Sequence, residues 1–181
     1  MVKLISTLGT SPGGVFESYL NLINGKYEAE NPIKIEIDTV YIIRTKDPEV
    51  EFAWKLVKAV FACCGGRNVT VADIPLPITD IFSRDDYLTF LRNVKDKISK
   101  EDYVDITGGR KAMSVAAAIA ARYRGANILT TIIPQNEYNR IQQLIKGFKE
   151  KKEVIEKSAN GECSKEVCEL ISKEARTILL L

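Results

Sequence analysis

Short apolar segments alternate with helical segments along the whole chain, and this alternation constrains the fold more than any other feature of the sequence. Strands that alternate with helices of roughly 10 to 15 residues are typical of a parallel sheet with right-handed crossovers. No repeat, low-complexity tract or linker interrupts the 181 residues. The sequence therefore predicts one α/β domain over residues 1–181, with strands at 2–8, 37–43, 69–74, 103–106, 128–133 and 177–181.

Capping residues mark two of the helix starts. Asp47, Pro48 and Glu49 supply an N-cap, a proline at the first helical position and an acid in the first turn. Ser83 and Asp86 resemble a capping box in which aspartate replaces glutamate. The other predicted helices are 15–23, an Ala-rich helix that ends near 124, a long helix over 137–157 and a short one over 164–172.

The predicted sheet has a position at which ligands commonly bind. With the strand order 3-2-1-4-5 the sheet is Rossmann-like and mostly parallel, and its winding reverses between the first and fourth strands. Ligands bind such sheets at the carboxyl ends of the strands beside the reversal. The loops at this position are residues 9–14 and 107–111, which we expect to line one crevice.

The loop after the fourth strand has the features of a phosphate site. The strand ends in Thr-Gly-Gly, and the next helix begins with two cations. Backbone N–H groups and the positive end of a helix dipole favour a bound anion, and the cations add formal charge. The motif alone also fits a tight turn with two solvated cations, but its place in the sheet favours phosphate. The predicted ligand contacts are Gly9, Thr10, Ser11, Pro12, Gly13, Thr107, Gly108, Gly109, Arg110 and Lys111.

Several classes of nucleotide-binding protein are excluded. The chain has no histidine, which removes histidine acid–base chemistry and Ser-His or Cys-His pairs. The first loop has neither the dinucleotide fingerprint nor a P-loop, and Arg44 stands where a dinucleotide-binding fold has an acid. A formal net charge of +2 disfavours a broad surface for long nucleic acid. We expect a small phosphorylated ligand and no cofactor.

The four cysteines do not predict a metal site. Cys63, Cys64, Cys163 and Cys168 lack the spacing of a zinc knuckle, and no histidine is available to complete a mixed site. Buried or partly buried thiols are the main expectation, and disulfides between the two pairs are the open alternative.

The sequence also predicts a cytoplasmic protein. No apolar run reaches the ~18 residues that a membrane span needs. The N-terminal segment is too short and too polar for a signal peptide and is interpreted as a buried first strand.

The two loop motifs resemble those of a known family. Residues 8–12, Leu-Gly-Thr-Ser-Pro, and residues 105–113, Asp-Ile-Thr-Gly-Gly-Arg-Lys-Ala-Met, are similar to motifs of CRISPR-associated Rossmann fold (CARF) domains, and the chain looks most like a stand-alone CRISPR ring nuclease. The resemblance implies an antiparallel pairing of the last two strands and a homodimer around one cyclic tetra-adenylate. Arg110 and Lys111 of two protomers would bring 2 × 2 = 4 cations to its four phosphodiesters.

The resemblance also implies a reaction without metal. The ribose 2′-hydroxyl attacks the adjacent phosphorus and leaves linear di-adenylate with a 2′,3′-cyclic phosphate. Ser11 is expected to position the ribose or phosphate, together with a lysine near the C-terminus. Lys173 is favoured over Lys165, because an antiparallel last strand would begin at the ligand end of the sheet. A solvated helix-end lysine is the alternative for either residue.

Some residue roles stay open at the level of sequence. Ser11 and Thr107 also fit helix N-caps, a role compatible with ligand contact. Residues 134–138, Pro-Gln-Asn-Glu-Tyr, could contact adenine through their amides and a stacked Tyr138, or form an ordinary polar loop. Two further functions also fit the motifs: a sensor or sponge that binds cyclic oligoadenylate without cutting it, and a Rossmann-like enzyme for another nucleotide.

Overall fold

Six strands form a single mixed sheet in the computed structural model, which describes residues 1–12, 14–66 and 68–181. The strands are β1 (Val2–Thr7), β2 (Ile37–Arg44), β3 (Thr70–Pro75), β4 (Tyr103–Asp105), β5 (Asn127–Ile132) and β6 (Arg176–Leu179). Their order is β3-β2-β1-β4-β5-β6, with β5 and β6 antiparallel and every other pair parallel. The predicted Rossmann-like order and the antiparallel last strand are confirmed.

Two of the helices begin at the predicted capping residues Asp47 and Ser83, whereas the N-caps of the first and fourth helices are Gly14 and Arg110 and not Ser11 and Thr107. The described α-helices are α1 (Val15–Asn24), α2 (Pro48–Cys63), α3 (Arg84–Lys97), α4 (Lys111–Arg124), α5 (Gln135–Lys149) and α6 (Lys152–Ala159), and a 3-10 helix spans Lys165–Leu170. At the start of α2, the Glu49 N–H donates to Asp47 Oδ1 at 2.8 Å. At the start of α3, the Asp86 N–H donates to the Ser83 hydroxyl at 3.1 Å. Both caps satisfy backbone donors that have no partner within the helix.

Neighbouring residues of β1 pack on opposite faces of the sheet. Leu4 belongs to the core shared with α1, α2, α5 and α6, whereas Ile5 belongs to the core shared with α3 and α4. The buried face of α4 consists largely of small side chains, so this helix approaches the sheet and α3 closely. The fully buried alanines of α4 are Ala116, Ala117, Ala120 and Ala121.

The prediction of a single long helix over 137–157 is wrong. The chain forms α5, turns at Glu150 and Lys151, and continues as α6. The turn directs α6 along α2, where Ile155 is fully buried and Glu156 Oε1 lies 3.8 Å from Lys55 Nζ. The charged run at the turn has no apolar side chain to continue the buried stripe of α5. None of the described helices is long and apolar enough to cross a membrane.

The expectation of free thiols is also wrong. Cys63 bonds to Cys163, and Cys64 bonds to Cys168. The C-terminal end of α2 faces the segment around the 3-10 helix, so the two adjacent cysteines of α2 meet the two separated cysteines of that segment. Both bonds therefore attach the segment before β6 to α2.

We predict that removing either disulfide alone destabilises the protein much less than removing both. In the chain-entropy account the first bond closes a loop of about 100 residues and contributes about 4.7 kcal/mol, whereas the second closes a loop of a few residues and contributes about 2 kcal/mol. Changing Cys63 and Cys163 to serine should therefore lower the unfolding free energy by about 2 kcal/mol, and removing both bonds by about 7 kcal/mol.

Denaturant unfolding followed by the fluorescence of buried Trp54 measures both values. The variant lacking only the Cys64–Cys168 bond is the matched control and should resemble the variant lacking the other bond. Equal costs for removing one bond and both bonds would contradict the prediction.

Candidate active site

The loops after β1 and β4 touch at the carboxyl edge of the sheet. A Cβ atom on Gly108 would lie 2.5 Å from the Thr7 carbonyl oxygen, and one on Gly9 would lie 2.9 Å from the Gly109 backbone nitrogen. Both distances are too short for a real Cβ atom, so each position requires glycine for the close approach of the two loops. The loops therefore meet in one crevice, as the strand order predicts.

Two adjacent pockets occupy this crevice and share Gly9, Thr10 and Gly109 as a common wall. The first, named the serine pocket, has a volume of about 320 Å³ and is also lined by Ser11, Gly14, Thr107, Gly108, Thr131, Ile133 and Tyr138. The second, named the arginine pocket, has a volume of about 210 Å³ and is also lined by Leu8, Thr45, Asp47, Val50, Thr79, Asp80, Arg110 and Met113. A larger groove of about 610 Å³ lies between α5 and the 3-10 helix, away from both loops.

Seven of the ten predicted ligand contacts line one of the two pockets, and two of the described ones, Pro12 and Lys111, do not. Pro12 is buried and lines a small cavity with Phe16 and Val57. Lys111 is the exposed first residue of α4 and lines neither pocket. Gly13 lies outside the described residues.

The two candidate lysines lie at different ends of the fold, and neither is among the described residues that line the two pockets. Lys173 is exposed in the turn before β6, which begins at the carboxyl edge of the parallel strands. The adjacent Ser172 hydroxyl donates to Glu137 Oε1 at 2.8 Å, which attaches this turn to the start of α5. Lys165 follows Cys163, which is bonded to the far end of α2. Because α2 begins beside the arginine pocket and is about 24 Å long, Lys165 lies near the opposite edge of the sheet.

The carboxyl group of Asp105 lies beneath the second loop and is completely buried. Its Oδ1 accepts from the Thr107 N–H at 2.9 Å and from the Thr107 hydroxyl. Its Oδ2 accepts from the hydroxyls of Ser18 at 2.9 Å and Ser6 at 3.2 Å. Burial raises the pKa of Asp105, and these hydrogen bonds oppose the rise because they favour the charged form.

A chain of side-chain hydrogen bonds extends from Asp105 to β6. Ser18 contacts Thr131 at 2.6 Å, Thr131 contacts Thr177 at 2.7 Å, and the Asn21 side-chain amide donates to Thr177 at 2.9 Å. Because each hydroxyl has one proton and Ser18 donates to Asp105, every donor in the chain points toward the carboxylate. The turn at Asp105 is thereby coupled to α1, β5 and β6.

A second buried acid lies beneath the first loop. Glu17 is 5% exposed, and its Oε2 accepts from the Gly14 N–H at 3.0 Å. Burial is the main cause that raises the pKa of Glu17 to about 7, and the nearby charge of Asp105 raises it further. The Gly14 N–H opposes the rise because it stabilises the carboxylate. Glu17 therefore changes charge near neutral pH directly beneath the loop that contains Ser11.

Arg110 lies at the N-cap of α4 and faces the arginine pocket. Its Nε lies 2.7 Å from Asp80 Oδ2, in the connection between β3 and α3. No sequence signal pointed to Asp80, because it lies in an irregular segment outside both loop motifs.

The roles of the buried acids Asp105 and Glu17 were not predicted from the sequence either, although a charged residue at a strand end or on the apolar face of a helix is a signal that could have been used. The described residues contain no group of three or more acids or cysteines that could hold a metal ion.

Residues 30–173 match the family described as CRISPR-associated protein NE0113. The chain is also 44% identical to the CRISPR system ring nuclease SSO2081 of Saccharolobus solfataricus. The alignment is 185 positions long, gaps included, and covers 98% of each protein. This chain belongs to the CRISPR-associated NE0113 family. The match includes α2, α4 and the loop after β4, so the resemblance to CARF proteins inferred from the motifs is confirmed.

The chain is also similar in fold to a solved protein structure. Csm6 of Enterococcus italicus, bound to cyclic hexa-2′-fluoro-hexa-dAMP, has a TM-score of 0.52 at 15% identity, covering 98% of this chain and 42% of its own. Can2 of Sulfobacillus thermosulfidooxidans, in complex with cyclic tetra-adenylate, has a TM-score of 0.48 at 13% identity, covering 71% of this chain and 31% of its own. This chain thus spans less than half the length of either protein.

We predict that Glu17 makes the stability of the protein depend on pH. Its pKa is about 7 in the folded protein and near 4.5 when unfolded, so the folded state holds the proton more tightly and is destabilised as the pH rises from about 5 to 8. Glu17→Gln should remove this loss, so the unfolding free energy of the variant relative to that of the wild type should rise by about 2.5 kcal/mol between pH 5 and pH 8.

The measurement is the free energy of unfolding at both pH values. Glu30→Gln, the same change at an exposed position, is the control and should leave the pH dependence as it is in the wild type. A Glu17→Gln variant whose stability differs from that of the wild type by the same amount at both pH values would refute the assignment.

Proposed function

We propose that this chain, as one CARF-like domain over residues 1–181, is a ring nuclease that binds cyclic tetra-adenylate and cleaves it without a metal ion. The observation that carries the proposal is the 44% identity to a ring nuclease across nearly the whole of both proteins. Cleavage of this ligand would switch off the type III CRISPR signal that it carries. The geometry of the two pockets supports the same activity.

The serine pocket has the chemistry to hold a ribose phosphate. It combines the glycine backbone of both loops with the hydroxyl groups of Ser11 and Thr107, next to the start of α4. A helix N-terminus presents backbone N–H groups and partial positive charge to a phosphate. Lys111 adds a cation at the first turn of the helix. Tyr138 lines the same pocket and is 46% exposed, so its ring is available to stack on adenine.

The reaction needs positioning more than it needs a strong acid or base. The 2′-oxygen forms a bond to the adjacent phosphorus while the bond from phosphorus to the 5′-oxygen breaks. The 2′-hydroxyl proton passes to solvent, and the 5′-oxygen takes up a proton from solvent. Holding the three reacting atoms in line supplies much of the acceleration, and nearby donors and cations stabilise the charge on the phosphorane. Ser11 would position the ribose or phosphate, and Lys173 would supply the cation.

A homodimer would complete the site. α4 presents an apolar stripe to solvent, in which Val115, Ile119 and Tyr123 are 52%, 47% and 74% exposed and lie four residues apart. These residues share one face of the helix. Because α4 begins at the two pockets, a partner packed on this stripe would bring its own pockets close to the first pair. Two cleavages on opposite sides of the ring would then release two molecules of linear di-adenylate with 2′,3′-cyclic phosphate ends.

We predict that chelator-treated protein converts cyclic tetra-adenylate to this di-adenylate. Ser11→Ala and Lys173→Ala should each reduce kcat at least about tenfold, because each removes a group that contacts the reacting phosphate. Lys165→Ala is the comparison for Lys173→Ala and should change kcat by less than about twofold. The measurement is chromatographic separation of the products over multiple turnovers at saturating cyclic tetra-adenylate.

The outcomes separate the candidate functions. Binding of the ring without cleavage would make the protein a sensor or sponge, and tight binding of a mononucleotide by a monomer would indicate a different nucleotide enzyme. A large loss in Lys165→Ala with none in Lys173→Ala would reverse the lysine assignment.

We further predict that Ile119→Asp prevents dimer formation and cleavage together. A carboxylate at the centre of the apolar stripe would be buried without a partner in the dimer, which is strongly unfavourable. Ile33→Asp is the matched control, since Ile33 is also exposed but belongs to the connection before β2. Sedimentation velocity and the cleavage assay provide the two measurements. An Ile119→Asp protein that remains dimeric would show that this stripe is not the interface.

A further inference from the structure

Arg110 is held by a carboxylate that is itself fixed in place. The Asp80 side chain is 14% exposed, whereas the Arg110 side chain is 73% exposed. Asp80 Oδ2 lies 2.7 Å from Arg110 Nε, and Asp80 Oδ1 accepts from the Ile81 N–H at 2.7 Å. The acid is therefore the more buried member of the pair with a second hydrogen bond, and the arginine is the member that extends into solvent.

The ion pair lies within the candidate site. Asp80 and Arg110 line the same pocket, which shares Gly9, Thr10 and Gly109 with the serine pocket. The pair also links two separate elements, because one residue follows β3 and the other precedes α4. A ligand phosphate at the start of α4 would thus meet Arg110 and its counter-ion together.

The counter-ion changes the charge that the site offers to an anion. Arg110 and Asp80 together carry no net charge, so Lys111 supplies the remaining cation of the α4 N-terminus. Two protomers then offer two net cations to a ring with four phosphodiesters, instead of the four that the sequence suggests. A phosphate that approaches Arg110 is also repelled by the Asp80 carboxylate.

We propose that Asp80 is a positioning residue that limits the affinity of the site for a cyclic phosphodiester, by competing with the ligand phosphate for Arg110. The inference rests on the proposed function, because it takes the cyclic oligoadenylate as the ligand. In the unliganded protein Arg110 is retained by Asp80, and on binding the guanidinium transfers from the carboxylate to a phosphate. Ground-state binding is weakened as a result, which favours release of the linear product.

Asp80 could also serve the ligand by orienting Arg110, and this role would have the opposite effect on affinity. If Asp80 instead oriented Arg110 toward the phosphate, its removal would weaken binding. The Nε contact is compatible with both roles, and we infer competition because a carboxylate next to an anion site repels the anion. The two roles therefore predict changes of different sign in one measurement.

The test uses cyclic tetra-adenylate with 2′-fluoro groups, which lacks the attacking hydroxyl and cannot be cleaved. Asp80→Asn should lower its Kd about two- to fivefold at low ionic strength, the range expected for releasing an exposed ion pair. The gain should shrink at high salt, where the charge interactions are screened. Asparagine keeps an acceptor for the Ile81 N–H, and the unfolding midpoint checks that the variant is folded. Asp80→Ser is the second variant and should show the same gain.

Asp96→Asn is the matched control. Asp96 lies near the end of α3 with its Oδ1 at 3.8 Å from Arg124 Nη2 at the end of α4, so this variant makes the same charge change in an ion pair at the other end of α4. Its Kd should equal that of the wild type. The double variant Arg110→Ala/Asp80→Asn should bind the ring more weakly than Asp80→Asn alone, because the guanidinium released by the loss of Asp80 is the group that binds the phosphate.

Each result decides the matter. Unchanged or weaker binding in both Asp80 variants overturns the inference, and so does a double variant that binds as tightly as Asp80→Asn alone or a gain that Asp96→Asn reproduces. If the wild-type protein does not bind the fluorinated ring or cyclic tetra-adenylate, the proposed function fails and this inference fails with it. If the wild type binds but the Asp80 variants match it, the proposed function stands and only the inference is overturned.

Discussion

The buried carboxylate of Asp105 is the interaction on which the rest of the site depends. A carboxyl group removed from water is costly unless donors surround it, and here two hydroxyls from β1 and α1 and two donors from Thr107 supply them. These bonds fix Thr107 at the end of β4 and thus direct the following glycines against Gly9. The contact between the two loops, and the wall that the two pockets share, are consequences of how this one acid is satisfied.

Strong local and topological signals made much of the fold predictable. Asp47 and Ser83 identify their helix starts because N-cap hydrogen bonds are made within four residues, and the alternation of strands and helices leaves few possible sheet orders. The meeting of the two loops follows from that order. The disulfides and the break after α5 were not predictable, because both depend on which distant element α6 and the 3-10 helix pack against.

The candidate site was less predictable than the fold, for a physical reason. Glycines that allow two loops to approach are visible in the sequence, but the direction of a long side chain is set by its tertiary partners. Arg110 was expected beside the phosphate, and it forms an ion pair with Asp80 in the wall of the neighbouring pocket. Partners that lie 30 residues away in an irregular loop leave no periodic signal. For the same reason Lys165 and Lys173 could be separated only by the strand order, through the end of the sheet at which β6 begins.

The two disulfides limit how the edge of the sheet can open. β6 is an edge strand, and the lysine before it depends on the pairing of β6 with β5 for its position. Because the segment just before that lysine is covalently joined to the end of α2, a β6 strand that detaches from β5 remains close to it. The segment that must be ordered again when β6 pairs with β5 is then only a few residues long, so fraying of this edge stays local and does not lead to the loss of the whole C-terminal segment.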